Sequence, residues 1–80
     1  MEETRNAHNL ALGSAVRQLR KNAGLTQQEL ADRAEVSVEK LQQIESGGVD
    51  ADWGTLRHLA YALDTGLPEV FRLTEELTES

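Results

Sequence analysis

Eighty residues with a net charge of −6, no cysteine and only three aromatic side chains, Trp53, Tyr61 and Phe71, are the making of one small domain. Disulfides and thiolate metal sites are excluded, and no apolar run approaches the ~20 residues of a membrane span. The start MEETRNAHN lacks the basic flank and apolar run of a signal peptide, so a cytoplasmic chain is expected. A core of leucine, valine and alanine favours packed helices over a sheet, and a chain this small gains from dimerisation.

Residues 1–8 show no periodicity and are expected to form a flexible arm. A first helix is predicted over residues 9–23. Leu12, Val16, Leu19 and Ala23 recur at helical spacing, and Gly24 stands where a left-handed glycine ends a helix. Its polar side carries Arg17, Arg20 and Lys21, cations that a helix C-terminus favours for structural reasons alone.

Residues 25–47 organise the rest. Thr26 and Glu29 have the spacing of a capping box, and Leu25 with Leu30 makes the hydrophobic staple around it. Ser37 repeats the cap, with Val36 and Leu41 as a second staple and Lys40 in place of the box glutamate. The two starts, about eleven residues apart, leave room for one short helix, a sharp turn and a second helix. In the first of these, Leu30, Ala31 and Ala34 share a side small enough for another backbone to approach. In the second, Leu41 and Ile44 turn inward with Val36. That leaves Val38, Glu39, Gln42, Gln43 and Ser46 outward, a face suited to hydrogen bonding with base edges.

Gly47 and Gly48 end this helix; with no Walker-type lysine after them, they are not a nucleotide site. Asp50 and Asp52 lack the glycine and glutamate offsets of an EF-hand. Asp52 reads instead as the N-cap of a fourth helix that presents Trp53, Leu56, Leu59, Ala60 and Leu63 inward and stops before Gly66. Trp53 is expected in the core. His58 lies on the polar face, and with only His8 besides, no zinc site is expected. Leu67 and Pro68 open a fifth helix, with proline near its first position. Val70, Phe71, Leu73 and Leu77 give that helix more apolar surface than so short an element hides. Either the surplus meets a second copy, or Phe71 and Val70 close the monomer core while residues 74–80 fray.

Gly24, Leu25, Thr26, Gln27, Glu29, Leu30, Ala31, Ala34, Val36, Ser37, Ile44, Glu45 and Gly47 together resemble the helix-turn-helix of the phage repressor and Cro family, also called the XRE family of bacterial regulators. Thr55-Leu56, Leu59-Ala60 and Ala62-Leu63 match that family's fourth helix, so the resemblance runs from about residue 12 to residue 73. It implies an all-α, five-helix repressor-like domain over residues 9–73, between the arm at 1–8 and a C-terminal helix end or tail at 74–80. It also implies a sequence-specific transcriptional regulator with helix 37–46 in the major groove of double-stranded DNA, acting as a homodimer on a two-fold site. Val38, Glu39, Gln42 and Gln43 would meet bases: glutamine pairs with adenine, glutamate accepts from cytosine N4, and valine presses on a thymine methyl. Gln27, Ser37, Lys40, Arg17 and Lys21 would meet phosphates, the first two beside helix N-termini. Arg20 and Glu45 would form a partly buried clamp between the first and third helices. Val70, Phe71, Leu73 and Leu77 would meet a second copy. In some members an N-terminal arm reaches DNA, a role open here to Arg5 and His8.

The chain departs from that pattern in its charge. Residues 5–33 hold five basic against two acidic side chains, whereas in residues 64–80 Arg72 stands alone against five acids. From Ser37 to Gly54 only Lys40 is basic, against Glu39, Glu45, Asp50 and Asp52. The turn residue before Val36, usually glycine in the family, is Glu35. The alternative function is therefore a protein-interaction module, antitoxin-like or adaptor, that kept the fold with weak DNA binding or none. No catalytic residue, cofactor, metal or membrane partner is expected, since no nucleophile stands beside a histidine and no paired carboxylates mark a pocket.

Overall fold

The computed structural model describes residues 2–79, and side chains over residues 7–78. Among the described residues there are five helices: α1 (Glu2–Asn22), α2 (Gln27–Ala34), α3 (Val38–Ser46), α4 (Trp53–Ala62) and α5 (Leu67–Glu79). None is long and apolar enough to cross a membrane. α1 lies between α5 and α3, while α2 bridges α3 and α4. Leu30, Leu41, Ile44, Leu59 and Val16 fill the centre, where Ala31 and Ala34 let α2 approach closely. A second apolar cluster, Leu12, Leu56, Ala60 and Val70, joins α1, α4 and α5.

Each helix boundary has a local cause. Thr26 Oγ1 accepts from Glu29 N at 3.1 Å while Glu29 Oε1 accepts from Thr26 N at 2.9 Å, a complete capping box. Ser37 Oγ accepts from Lys40 N at 3.0 Å, and Asp52 caps α4 through Thr55 N at 3.2 Å. α1 to α4 all stop the same way: a residue in the left-handed conformation, with paired backbone bonds returning to the last turn. Gly24 and Gly47 fill that position after α1 and α3, but Glu35 (φ 59°) and Asp64 (φ 57°) fill it after α2 and α4.

Several expectations are corrected. Residues 2–8, expected as a flexible arm, are the first two turns of α1. Glutamates at a helix N-terminus suit the macrodipole, and no glycine or proline interrupts the chain before Gly13. Trp53 is 60% exposed rather than in the core. It opens α4, where its side chain lies along the molecule's surface and stacks on Phe71 with ring centroids 6.0 Å apart. Val70 and Leu73, expected to meet a second copy, are only 2% and 8% exposed. The reason is α1, which runs along α5 and covers that stripe. Phe71 and Leu77 are half-buried. Gly66 follows α4 as expected; Asp64 takes the left-handed turn that closes the helix, and Gly66 O accepts from Glu69 N at the start of α5.

Candidate nucleic-acid interface

α3 is held from both sides and left open on one. Its Leu41 and Ile44 are buried, whereas Glu39, Gln42, Gln43 and Ser46 are exposed. The side chains of Glu39, Gln42 and Gln43 make no hydrogen bond among the described residues. Ser46 Oγ donates to Gln43 O at 3.0 Å and so folds back on its own helix. Val38 is half-buried and packs on the core edge, with only part of its surface outward.

The C-terminal half of α3 is anchored to α1. Arg20 Nε donates to Glu45 Oε2 at 2.8 Å and Arg20 Nη2 donates to Glu45 Oε1 at 3.1 Å. Its third nitrogen, Nη1, donates to Leu25 O at 2.8 Å. Both side chains are largely shielded, at 11% and 4% exposed, so the pair sits where charge is costly unless matched. Gln27 Nε2 adds a bond to Glu45 Oε1 at 3.0 Å, tying α2 into the same knot. Gln27, expected at a phosphate, thus has one amide hydrogen committed within the protein.

Beneath the pair, the helices touch backbone to backbone. A Cβ added at Gly13 would lie 2.2 Å from Ile44 O and 2.7 Å from Glu45 O. Gly47, with φ 79°, also packs closely on α1: a Cβ there would lie 2.7 Å from Leu10 Cδ2 and 3.0 Å from Leu10 Cα. At Gly13 an isolated glycine inside a helical period was the available signal, since such a residue costs ~1 kcal/mol relative to alanine and needs a packing reason.

The surroundings of α3 carry mixed charge. Arg17, Arg20, Gln27, Gln42, Glu45 and Ser46 line a shallow depression where α1, α2 and α3 meet. Arg17 and Lys21 are both exposed on α1. Hydrogen bonds from Thr55 hold the Asp52 carboxyl below the usual range, with the nearby charge of half-buried Lys40 a minor contribution. Asn9 Nδ2 donates to Asp50 Oδ1 at 2.7 Å, fastening the loop after α3 to α1. His8 is exposed on α1, and the Arg5 side chain lies outside the described residues.

Comparison with known proteins places this geometry. A family model described as a helix-turn-helix domain matches residues 11–73. The competence pilus inhibition repressor of Acinetobacter baylyi is 36% identical over 66 residues, a match that takes in 82% of this chain. The chain spans 60% of the length of that relative. The clp gene regulator ClgR of C. glutamicum superposes with a TM-score of 0.83 at 29% identity, covering 86% of this chain and 88% of that one. The restriction-modification controller protein C.AhdI of Aeromonas hydrophila gives 0.77 at 28% identity, covering 79% and 96%. The matched region contains α2, the Glu35 turn, α3 and the Arg20–Glu45 pair, and the chain belongs to the helix-turn-helix family, in the phage repressor and Cro-like class that its sequence resembles.

Proposed function

We propose that this chain is a sequence-specific DNA-binding transcriptional regulator that lays α3 in the major groove and works as a pair of copies on a two-fold site. The observation that carries the reading is the outer face of α3: Glu39, Gln42 and Gln43 stand free of their own chain on a helix anchored from behind. Three relatives described as a repressor, a gene regulator and a controller protein support it. Gln43 and Gln42 read adenine through its N6 and N7, Glu39 accepts from cytosine N4, and the outward part of Val38 meets a thymine methyl. Ser37, Lys40, Arg17, Lys21 and the free amide hydrogen of Gln27 fix the backbone. With so few cations near α3, salt dependence is shallow and base contacts carry an unusually large share of affinity.

The test is selection of bound duplexes from a random pool, followed by fluorescence anisotropy at about 50 mM salt. A recovered consensus, weakened uniformly by Lys40→Glu and relaxed at one position by Gln43→Ala, is the expected result. Gln43→Ala costs about 1–3 kcal/mol on the selected site and little on random duplex. Failure to bind any duplex at this salt overturns the reading. It would favour the protein-interaction module, for which the acidic residues Asp50 and Asp52 directly after α3 are the supporting observation.

A further inference from the structure

We infer that the second copy docks on the outer face of α4, in a two-fold contact that seats each Tyr61 ring in the hollow beside its partner's Tyr61. This pairing surface rests on the two-copy reading above and is independent of DNA binding. Tyr61 is 88% exposed, the most exposed large apolar side chain among the described residues. Next to it lies a depression lined by Arg57, His58, Ala60, Tyr61, Thr65 and Leu67. A protruding ring beside a hollow is self-complementary under a two-fold axis, because the residue that inserts on one copy lines the pocket on the other. Tyrosine is also among the side-chain types enriched at the energetic centres of such contacts.

Charge follows the same symmetry. Arg57 precedes Tyr61 by one turn of α4, and Asp64 stands in the left-handed turn that closes the helix, its N–H donating to Tyr61 O at 3.0 Å. Two α4 helices crossing antiparallel at Tyr61 set Arg57 against the partner's Asp64, and the axis repeats that pair. The Arg57, His58 and Asp64 side chains make no hydrogen bond or ion pair among the described residues. α5 offers less: Val70 and Leu73 are covered by α1, and Glu69 and Glu76 already hold Arg72. No residue of the hollow belongs to α3, so docking there leaves Glu39, Gln42 and Gln43 uncovered.

Sedimentation equilibrium of the whole chain from micromolar to near-millimolar concentration tests the surface. The expected result is a reversible dimer whose dissociation constant rises about tenfold or more in Tyr61→Asp. The helical circular dichroism of that variant should be unchanged, since the side chain is exposed. Arg57→Asp and Asp64→Arg should each weaken the dimer, and the double charge swap should restore it. A wild-type dimer indifferent to Tyr61→Asp, or a charge swap that fails to restore pairing, overturns this surface and leaves the two-copy reading standing. A wild-type chain that stays monomeric throughout overturns both.

Discussion

The two ends of α3 are built in opposite ways. At its C-terminal end the helix leaves through Gly47, whose left-handed φ carries no side-chain penalty, and rests on the α1 backbone at Gly13. The Arg20–Glu45 pair then locks the same end with two bonds between side chains. At its N-terminal end the chain enters through Glu35, which holds the left-handed conformation with a full side chain and one Ser37 cap beyond it. One end is fixed by main-chain contact and a shielded ion pair, the other by a strained turn, a single cap and the burial of Leu41. The lesson is that the orientation of the outward face is set from behind and from its C-terminal half, not from the turn that names the motif.

The comparison is most directly broken at Arg20. Arg20→Ala strands the Glu45 carboxylate and should cost about 3–5 kcal/mol in urea unfolding. Gly13→Ala comes next: its Cβ meets main-chain carbonyls that have no rotamer to move, so α1 and α3 must separate. A loss of about 3 kcal/mol is expected, the upper end of overpacking. The two left-handed positions sharpen the contrast because glycine and side chain trade places with opposite sign. Glu35→Gly should raise stability by roughly 0.5–1 kcal/mol by relieving the turn. Gly47→Ala should lower it by about 1–2 kcal/mol, since strain there adds to the close contact with Leu10. Thermal melts of the pair at one pH would decide it, and equal signs would sink the proposed asymmetry.

The smallest effect is acid sensitivity of the helix starts that flank α3. Bonds from Thr26 hold the Glu29 carboxyl below its usual range, and bonds from Thr55 do the same for Asp52. A carboxyl depressed in the folded state contributes above its unfolded pKa, and that contribution fades as pH falls through the folded value. Stability should therefore decline into the acid range, and Glu29→Gln with Asp52→Asn should flatten that decline while keeping both caps neutral and intact. Melts from about pH 7 to pH 3 give the slope.

The capped starts at Thr26, Ser37 and Asp52 were legible because a cap is a local bargain between one side chain and nearby amides. The Arg20–Glu45 pair was legible only through family resemblance, as its partners stand 25 residues apart. Gly13 belongs to the same contact; the sequence marks it only as a glycine inside a helical period, and the partner that explains it, the α3 backbone, appears only in the fold. Trp53 misled because periodicity marks an apolar face without saying where the core ends, and the first turn of α4 overruns it. Val70 and Leu73 misled for a related reason. An apolar stripe announces that something covers it, and whether α1 or a second copy does so is decided by topology.

The bare Cα of Gly13 has one further consequence. Since α3 sits on α1 through peptide groups common to every sequence, its tilt owes little to the identity of what it displays. On the function proposed above, replacement of Gln42 or Gln43 would change the letters being read while the reading angle stays put. Under that proposal specificity and architecture are decoupled, and new target sequences would lie within a few substitutions of exposed side chains that the fold scarcely registers.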